Sequence, residues 1–305
     1  MNRERKTAGL DLPHVCEENK LRRVLDSALR SRIGNCDVSS ESTNYQYWDA
    51  EHFGLQKVKV FQDASFQEQE EILRLCSCGL LEEAYFIEKA GVGYMAKMVL
   101  LAETTEERML YALFSSDEVT HLAQISRFLP DRELVGTDDA FLRYLADLVE
   151  TEDKTVLIFL LQVVLEGWGL SHYRSLAKNC LNPELASIFE RFLQDESRHH
   201  GTGVTLLNLR QVSGASRAAI VEALALFLRM VQVGPQGVVA AVERVKGDLS
   251  RSQKVRIFQE LDTETHSGTR LNLLRSLMRV PAAQTIVQEL EERGAFQPFP
   301  AQKCI

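Results

Sequence analysis

Two short runs, Asp117-Glu118-Val119-Thr120-His121 and Asp195-Glu196-Ser197-Arg198-His199, each set a glutamate three residues before a histidine, with an aspartate in front. On a helix that spacing puts both side chains on one face, one turn apart, where they can share a metal ion. A further carboxylate stands 30 residues before each glutamate, at Glu88 and Glu166. The whole set recurs at one offset of 78: 88 becomes 166, 118 becomes 196 and 121 becomes 199. The pattern Glu-x-x-Gly recurs with it, as Glu88 to Gly91 and Glu166 to Gly169. A lone Glu-x-x-His is most often a solvated helix face. Here the flanks are apolar: Ala84, Tyr85 and Val92 around Glu88, and Val163, Gly169 and Leu170 around Glu166. Four acids and two histidines in such surroundings need a counter-charge, and metal is the simplest one.

The elements that must hold these residues are helices. From about residue 65 the apolar residues follow the helical period, with no run of strand alternation. Leu80 to Ala102 reads as one helix, and Glu103 to Glu107 as a turn with the cap of the next, which Pro130 ends after Leu129. A short helix over 138–149 makes a crossover. A long helix follows from about Asp153 to Lys178, and Asn182-Pro183 opens another that reaches about Val212. Beyond Ser213-Gly214 come shorter helices at 216–232, 236–246, 250–265, 269–279 and 281–293. At about 1.5 Å of rise per residue, antiparallel packing about the 103–106 turn brings Glu88 and Glu118 to one height, and Glu166 and Glu196 likewise about Asn182. The fold class is therefore all-α. Residues 1–64 read as a partly helical leader with a polar loop at 39–44, docking through Tyr45, Tyr47, Trp48 and Phe53. Residues 65–213 read as the bundle and 214–305 as a C-terminal helical extension packed on it.

Composition excludes several classes. The chain has 305 residues, 45% of them hydrophobic, and a formal charge of −8. That acidity disfavours DNA or bulk RNA binding, although Arg22, Arg23 and Arg30 offer one local basic cluster. The N-terminus has no apolar run of a secretory signal. The stretch Thr155 to Leu165, interrupted by Gln162, is too short to span a bilayer. The six cysteines (16, 36, 76, 78, 180 and 304) contain no Cys-x-x-Cys pair. They read as reduced thiols of a cytoplasmic protein.

Glu-x29-Glu-x-x-His given twice resembles the ferritin-like di-iron carboxylate proteins, a superfamily of oxygenases, oxidases, rubrerythrins and bacterioferritins. The likeness covers roughly residues 80 to 205. It implies a ferritin-like four-helix bundle with one crossover, additional C-terminal helices, and two Fe ions with O2 as co-substrate. Manganese or a mixed Mn/Fe pair has the same ligand preference. By that pattern Glu118 and Glu196 bridge the ions, Glu88 and Glu166 are terminal ligands, and His121 and His199 each bind one ion. Asp-Glu-Ser-Arg-His at 195–199 is similar to the monooxygenase sequence in which the aspartate and arginine orient ligand histidines. Asp117, Asp195 and Arg198 take that supporting role, and the first copy has Thr120 in place of the arginine. Phe192 stands where the arylamine N-oxygenases have a third histidine.

Two activities follow from the resemblance. One is an O2-activating oxygenase or oxidase, metal-binding and cytoplasmic, acting on a small and largely apolar molecule. It would be fed by a ferredoxin or a flavin reductase, and possible as a homodimer. The other is an iron store or peroxide scavenger. The mass outside 65–213 favours the enzyme. Phe86, Ile158, Leu161, Phe189 and Leu193 suit an apolar substrate and equally an ordinary core. Gly91 and Gly169 either leave a gap beside the metals, so that a larger side chain at 91 touches no ligand, or serve close helix contact. Tyr85 stands one turn before Glu88 and is either a donor near the metal or packed core. His172, His200 and His266 read as ordinary.

Overall fold

The computed structural model describes residues 7–16, 18–34, 45–130, 139–151 and 153–305. Among the described residues all regular structure is helical and no strand is present. The polar loop at 39–44, Cys36 and the expected start of the crossover helix at 138 lie outside the described residues. The chain divides into two compact units, one of residues 1–45 and 80–152, the other of 46–79 and 153–305.

The first unit holds α1 (Lys20–Ile33); the second opens with a 3-10 turn (Leu55–Lys57) and the short α2 (Lys59–Gln62). The chain then enters α3 (Phe66–Leu101), whose first turns belong to the second unit and whose remainder belongs to the first. This helix begins 14 residues before the expected Leu80. Ser65 and Glu68 explain the early start: the Ser65 N–H donates to Glu68 Oε2 at 2.7 Å and the Glu68 N–H to Ser65 Oγ at 3.4 Å. That reciprocal box satisfies donors a helix start otherwise leaves open. The first unit continues with α4 (Thr105–Ile125) and α5 (Ala140–Thr151). Thr104 accepts from the Glu107 N–H at 3.1 Å while Glu107 accepts from the Glu103 N–H at 2.8 Å, so the expected turn at 103–107 carries the N-cap of α4.

The second unit continues with α6 (Lys154–Leu157), a π-helical segment (Ile158–Leu165), α7 (Glu166–Asn179) and α8 (Pro183–Asn208). Sequence periodicity gave one plain helix over 153–178; the wide-turn segment inside it is a correction. Asp153 caps its start and Asn182, followed by Pro183 in the first turn, caps α8, as expected. The helix α8 ends at Asn208, four residues short of Val212. Then come α9 (Gly214–Gln232), α10 (Gln236–Lys246), α11 (Arg251–Glu260), α12 (Thr263–Leu277) and α13 (Gln284–Glu292). The expected helices over 250–265 and 269–279 are cut differently, at Asp262. This residue takes φ 50°, in the left-handed region, and ends α11.

In the second unit, Leu55, Val58, Phe61, Ile72, Val242, Ile257, Phe258 and Leu261 form one buried cluster with Ala301 and Cys304. The terminal helices thus close over the start of α3. Trp48 is wholly buried and donates from Nε1 to Leu176 O at 3.0 Å, with Phe189 beside it. The docking expected of these aromatics is realised through Trp48 and Tyr47. The continuous helix Lys154–Asn179 is long and apolar enough by itself to cross a membrane, which the eleven-residue apolar run alone did not suggest. Yet 56% of its most apolar window is buried within the protein, as a core helix would be.

Candidate metal centre

In the first unit α3 presents Glu88 and α4 presents Glu118 and His121, all buried. His121 Nδ1 lies 3.1 Å from Glu88 Oε2 and 4.0 Å from Glu118 Oε2. One donor atom from each of the three falls within 4.8 Å of the other two. Two carboxylates and an imidazole so close, in an apolar setting, form a group that could hold a metal ion.

The close approach rests on Gly91. A Cβ there would stand 2.7 Å from Glu118 Oε2 and 2.8 Å from its carboxyl carbon. The glycine therefore makes room for a carboxylate of the site. The expectation that a larger residue at 91 touches no ligand is overturned. Around the same stretch of α3, residues of the segment from Thr7 to His14 contact the helix. Lys89 Nζ donates to Leu10 O and Leu12 O, both at 3.0 Å, and the Tyr85 hydroxyl is 2.7 Å from His14 Nε2. Burial pushes the Tyr85 hydroxyl up from its ordinary value. Gly93 lets this segment in, because a Cβ there would fall 2.0 Å from Thr7 O.

In the second unit Glu166 opens α7, and α8 carries Glu196 and His199, both buried. His199 Nδ1 lies 3.7 Å from Glu196 Oε2, matching the 4.0 Å of the first copy and using the same ring nitrogen. An oxygen of Glu166 and a nitrogen of His199 fall within 4.8 Å. The first copy thus brings Glu88, Glu118 and His121 together, and in the second His199 lies close to Glu196 and to Glu166 in turn. Gly169 differs from Gly91: nothing lies within 4 Å of a Cβ built on it.

The remaining expected residues are placed as follows. Asp195 pairs with Arg198 one turn on along α8, and the Arg198 side chain is mostly exposed. Asp117 is half-buried, its carbonyl accepting from the Thr120 hydroxyl at 2.8 Å. Phe192 is wholly buried against Tyr173 and Phe189. His172 stacks on Trp168, and burial, then the charges of Arg270 and His52, push it down to about 4. Two residues near the second copy do more than the sequence suggested, where Gln162 only interrupts an apolar run and His200 reads as ordinary. Gln162 is wholly buried and donates from Nε2 to His199 O at 3.2 Å, and His200 Nδ1 lies 2.9 Å from Gln162 O. A polar residue inside the apolar run 155–165 was the visible signal.

Comparison of the chain with protein-family models, curated proteins and solved structures found no match. The donor chemistry is therefore the test of fit. Per unit it is two hard carboxylates and one borderline imidazole, without a thiolate. Such a set suits Fe(II), Mn(II) and their neighbours better than Cu(I) or a cluster. Among the described residues the regular structure is all helical, and a cluster of glutamates and histidines in it could hold a metal ion.

Proposed function

We propose that this chain is a non-haem di-iron oxidoreductase that activates O2 and acts on a small, largely apolar organic molecule. The observation that supports the reading is the buried cluster of Glu88, Glu118 and His121 in the first copy, with His199 close to both Glu196 and Glu166 in the second. In this reading Glu88, Glu118 and His121, with Glu166, Glu196 and His199, hold two iron ions. Glu118 and Glu196 would serve both ions, and α3, α4, α7 and α8 would form the ferritin-like bundle with α5 as the crossover. Iron held by carboxylates supplies reduction of O2 and oxidation of a bound organic substrate. What the chain itself does is hold the donors in register and keep bulk water away, since five of the six donors are buried. Electrons come from outside, by a ferredoxin or flavin reductase, and the setting is cytoplasmic. A ferroxidase or peroxide-scavenging role is the second reading, favoured by the same ligands with no need of a substrate.

The test is anaerobic loading with Fe(II), exposure to O2 with a panel of amines, fatty acids and aldehydes, and product analysis by mass spectrometry. Oxidised product dependent on both O2 and iron supports the enzyme. Iron oxidation without any product from the panel supports the storage reading, and no iron uptake removes both.

A further inference from the structure

The helix carrying Glu166 is not α-helical where it approaches that residue. In an α-helix the Glu166 N–H would bond to Gln162 O, four residues back. Here it bonds to Leu161 O, five back, so the Gln162 carbonyl does not take its usual Glu166 N–H. A helical carbonyl that lacks this donor can accept from a side chain. His200 Nδ1 lies 2.9 Å from that carbonyl. The Gln162 side chain returns the contact, donating to the backbone carbonyl of His199 at 3.2 Å.

Two glycines let these groups meet. A Cβ on Gly203 would stand 2.4 Å from Gln162 Cβ, so α8 lies directly against the widened turn. A Cβ on Gly167 would stand 2.9 Å from His200 Cε1, so the ring occupies the place of a side chain. One extra residue in a helical turn rotates everything after it by about 100° relative to what precedes. The register of the widened turn therefore decides which way Glu166 faces.

We propose that Gln162 and His200 are positioning residues that lock this register and so aim Glu166, and hold the backbone of His199, for the second metal ion. The inference rests on the di-metal reading above. His200 holds the carbonyl of Gln162; Gln162 ties the widened turn to the carbonyl of a ligand histidine. Neither residue donates to the ion. The first copy has no such pair. Its equivalents, 78 positions earlier, are Ala84 and Leu122, and α3 runs as a regular α-helix through Glu88.

The experiment is titration of the metal-free full chain with Co(II), followed by absorption spectroscopy, for wild type, Gln162→Leu, His200→Leu and His200→Asn. Wild type is expected to show two binding events. Gln162→Leu and His200→Leu should keep one event unchanged and weaken the other by about 10- to 100-fold, the usual cost of removing a group that orients a ligand. His200→Asn, whose amide can donate from nearly the same place, should restore most of the lost affinity; a merely space-filling role would not give that rescue. Two unaltered events in both leucine variants would overturn the positioning role while leaving the two-metal reading intact. No binding event in wild type would instead remove the two-metal reading. Should Gln162→Leu fail to fold by circular dichroism, the two His200 variants decide the matter alone: equal affinity in both contradicts the proposal.

Discussion

The two copies of the Glu, Glu and His set place the histidine Nδ1 at similar distances from the glutamate one turn before it, 4.0 and 3.7 Å, on different supports. In the first unit a regular helix carries Glu88, and Gly91 clears the space that the Glu118 carboxylate fills. In the second, the glycine at the equivalent position, Gly169, clears nothing within 4 Å. There the close approach is made elsewhere, at Gly203 and Gly167, against a widened helical turn held by Gln162 and His200. The lesson is that the ligand types and spacing were kept while the packing beneath them diverged. A sequence repeat reports the chemistry more faithfully than the support.

That contrast can be broken most severely at Gly91. Gly91→Leu should abolish metal binding by Glu118 and His121, and Gly91→Ala should weaken it, because even one methyl group displaces the carboxylate. Metal uptake at the wild-type level in Gly91→Leu would show that Glu118 is not held where the structure puts it. Stability should change little in Gly91→Ala, since the atom displaced is the end of a flexible side chain.

Gly203→Ala should come next. Its Cβ would collide with Gln162 Cβ and crowd the Gln162 backbone, so the helices must separate. Overpacking of this kind costs about 1–3 kcal/mol, readable in chemical denaturation. A neutral result would mean that α8 tolerates a shift, and the widened turn would lose its claim to rigidity. Gly169→Ala is the counter-experiment. With open space around it and a helical backbone, alanine should stabilise the chain by up to about 1 kcal/mol. Destabilisation there would restore the symmetry between the copies that the structure denies.

A smaller effect belongs to the second copy alone. His172, held down to about 4, stays neutral in the folded chain while the unfolded chain takes up a proton near pH 6.5. Its contribution is complete above about pH 6.5 and is lost as the pH falls toward 4. His172→Gln should flatten that part of the stability curve relative to wild type. The first-copy equivalent is Tyr94, not a histidine. An unchanged slope in His172→Gln would assign the acid sensitivity to other groups.

Much of this was legible in the sequence, for identifiable reasons. Helix starts at Thr104, Asp153, Asn182 and Ser213 show because caps are local chemistry, and the structure uses all four. Ser65 with Glu68 was equally legible as a capping box, yet the polar run after it, Gln67 to Glu71, masked the helix. The π-helical segment was not legible, because a run as apolar as Ile158 to Leu165 carries no period from which to read its pitch. The six ligand types stood out through the fixed offset. What that offset concealed was Gln162 and His200, which have no counterpart in the other copy to flag them. The purpose of Gly91 was likewise hidden, since a missing side chain does not say which neighbour needs the space.

The central claim is that the two copies together hold two metal ions. Elemental analysis of protein reconstituted with Fe(II) under anaerobic conditions tests it directly, with His121→Ala and Glu196→Ala measured beside wild type. The account predicts two irons per chain in wild type, and less in either variant while circular dichroism shows helix content unchanged. One iron or none in wild type, or wild-type iron in both variants, would contradict it.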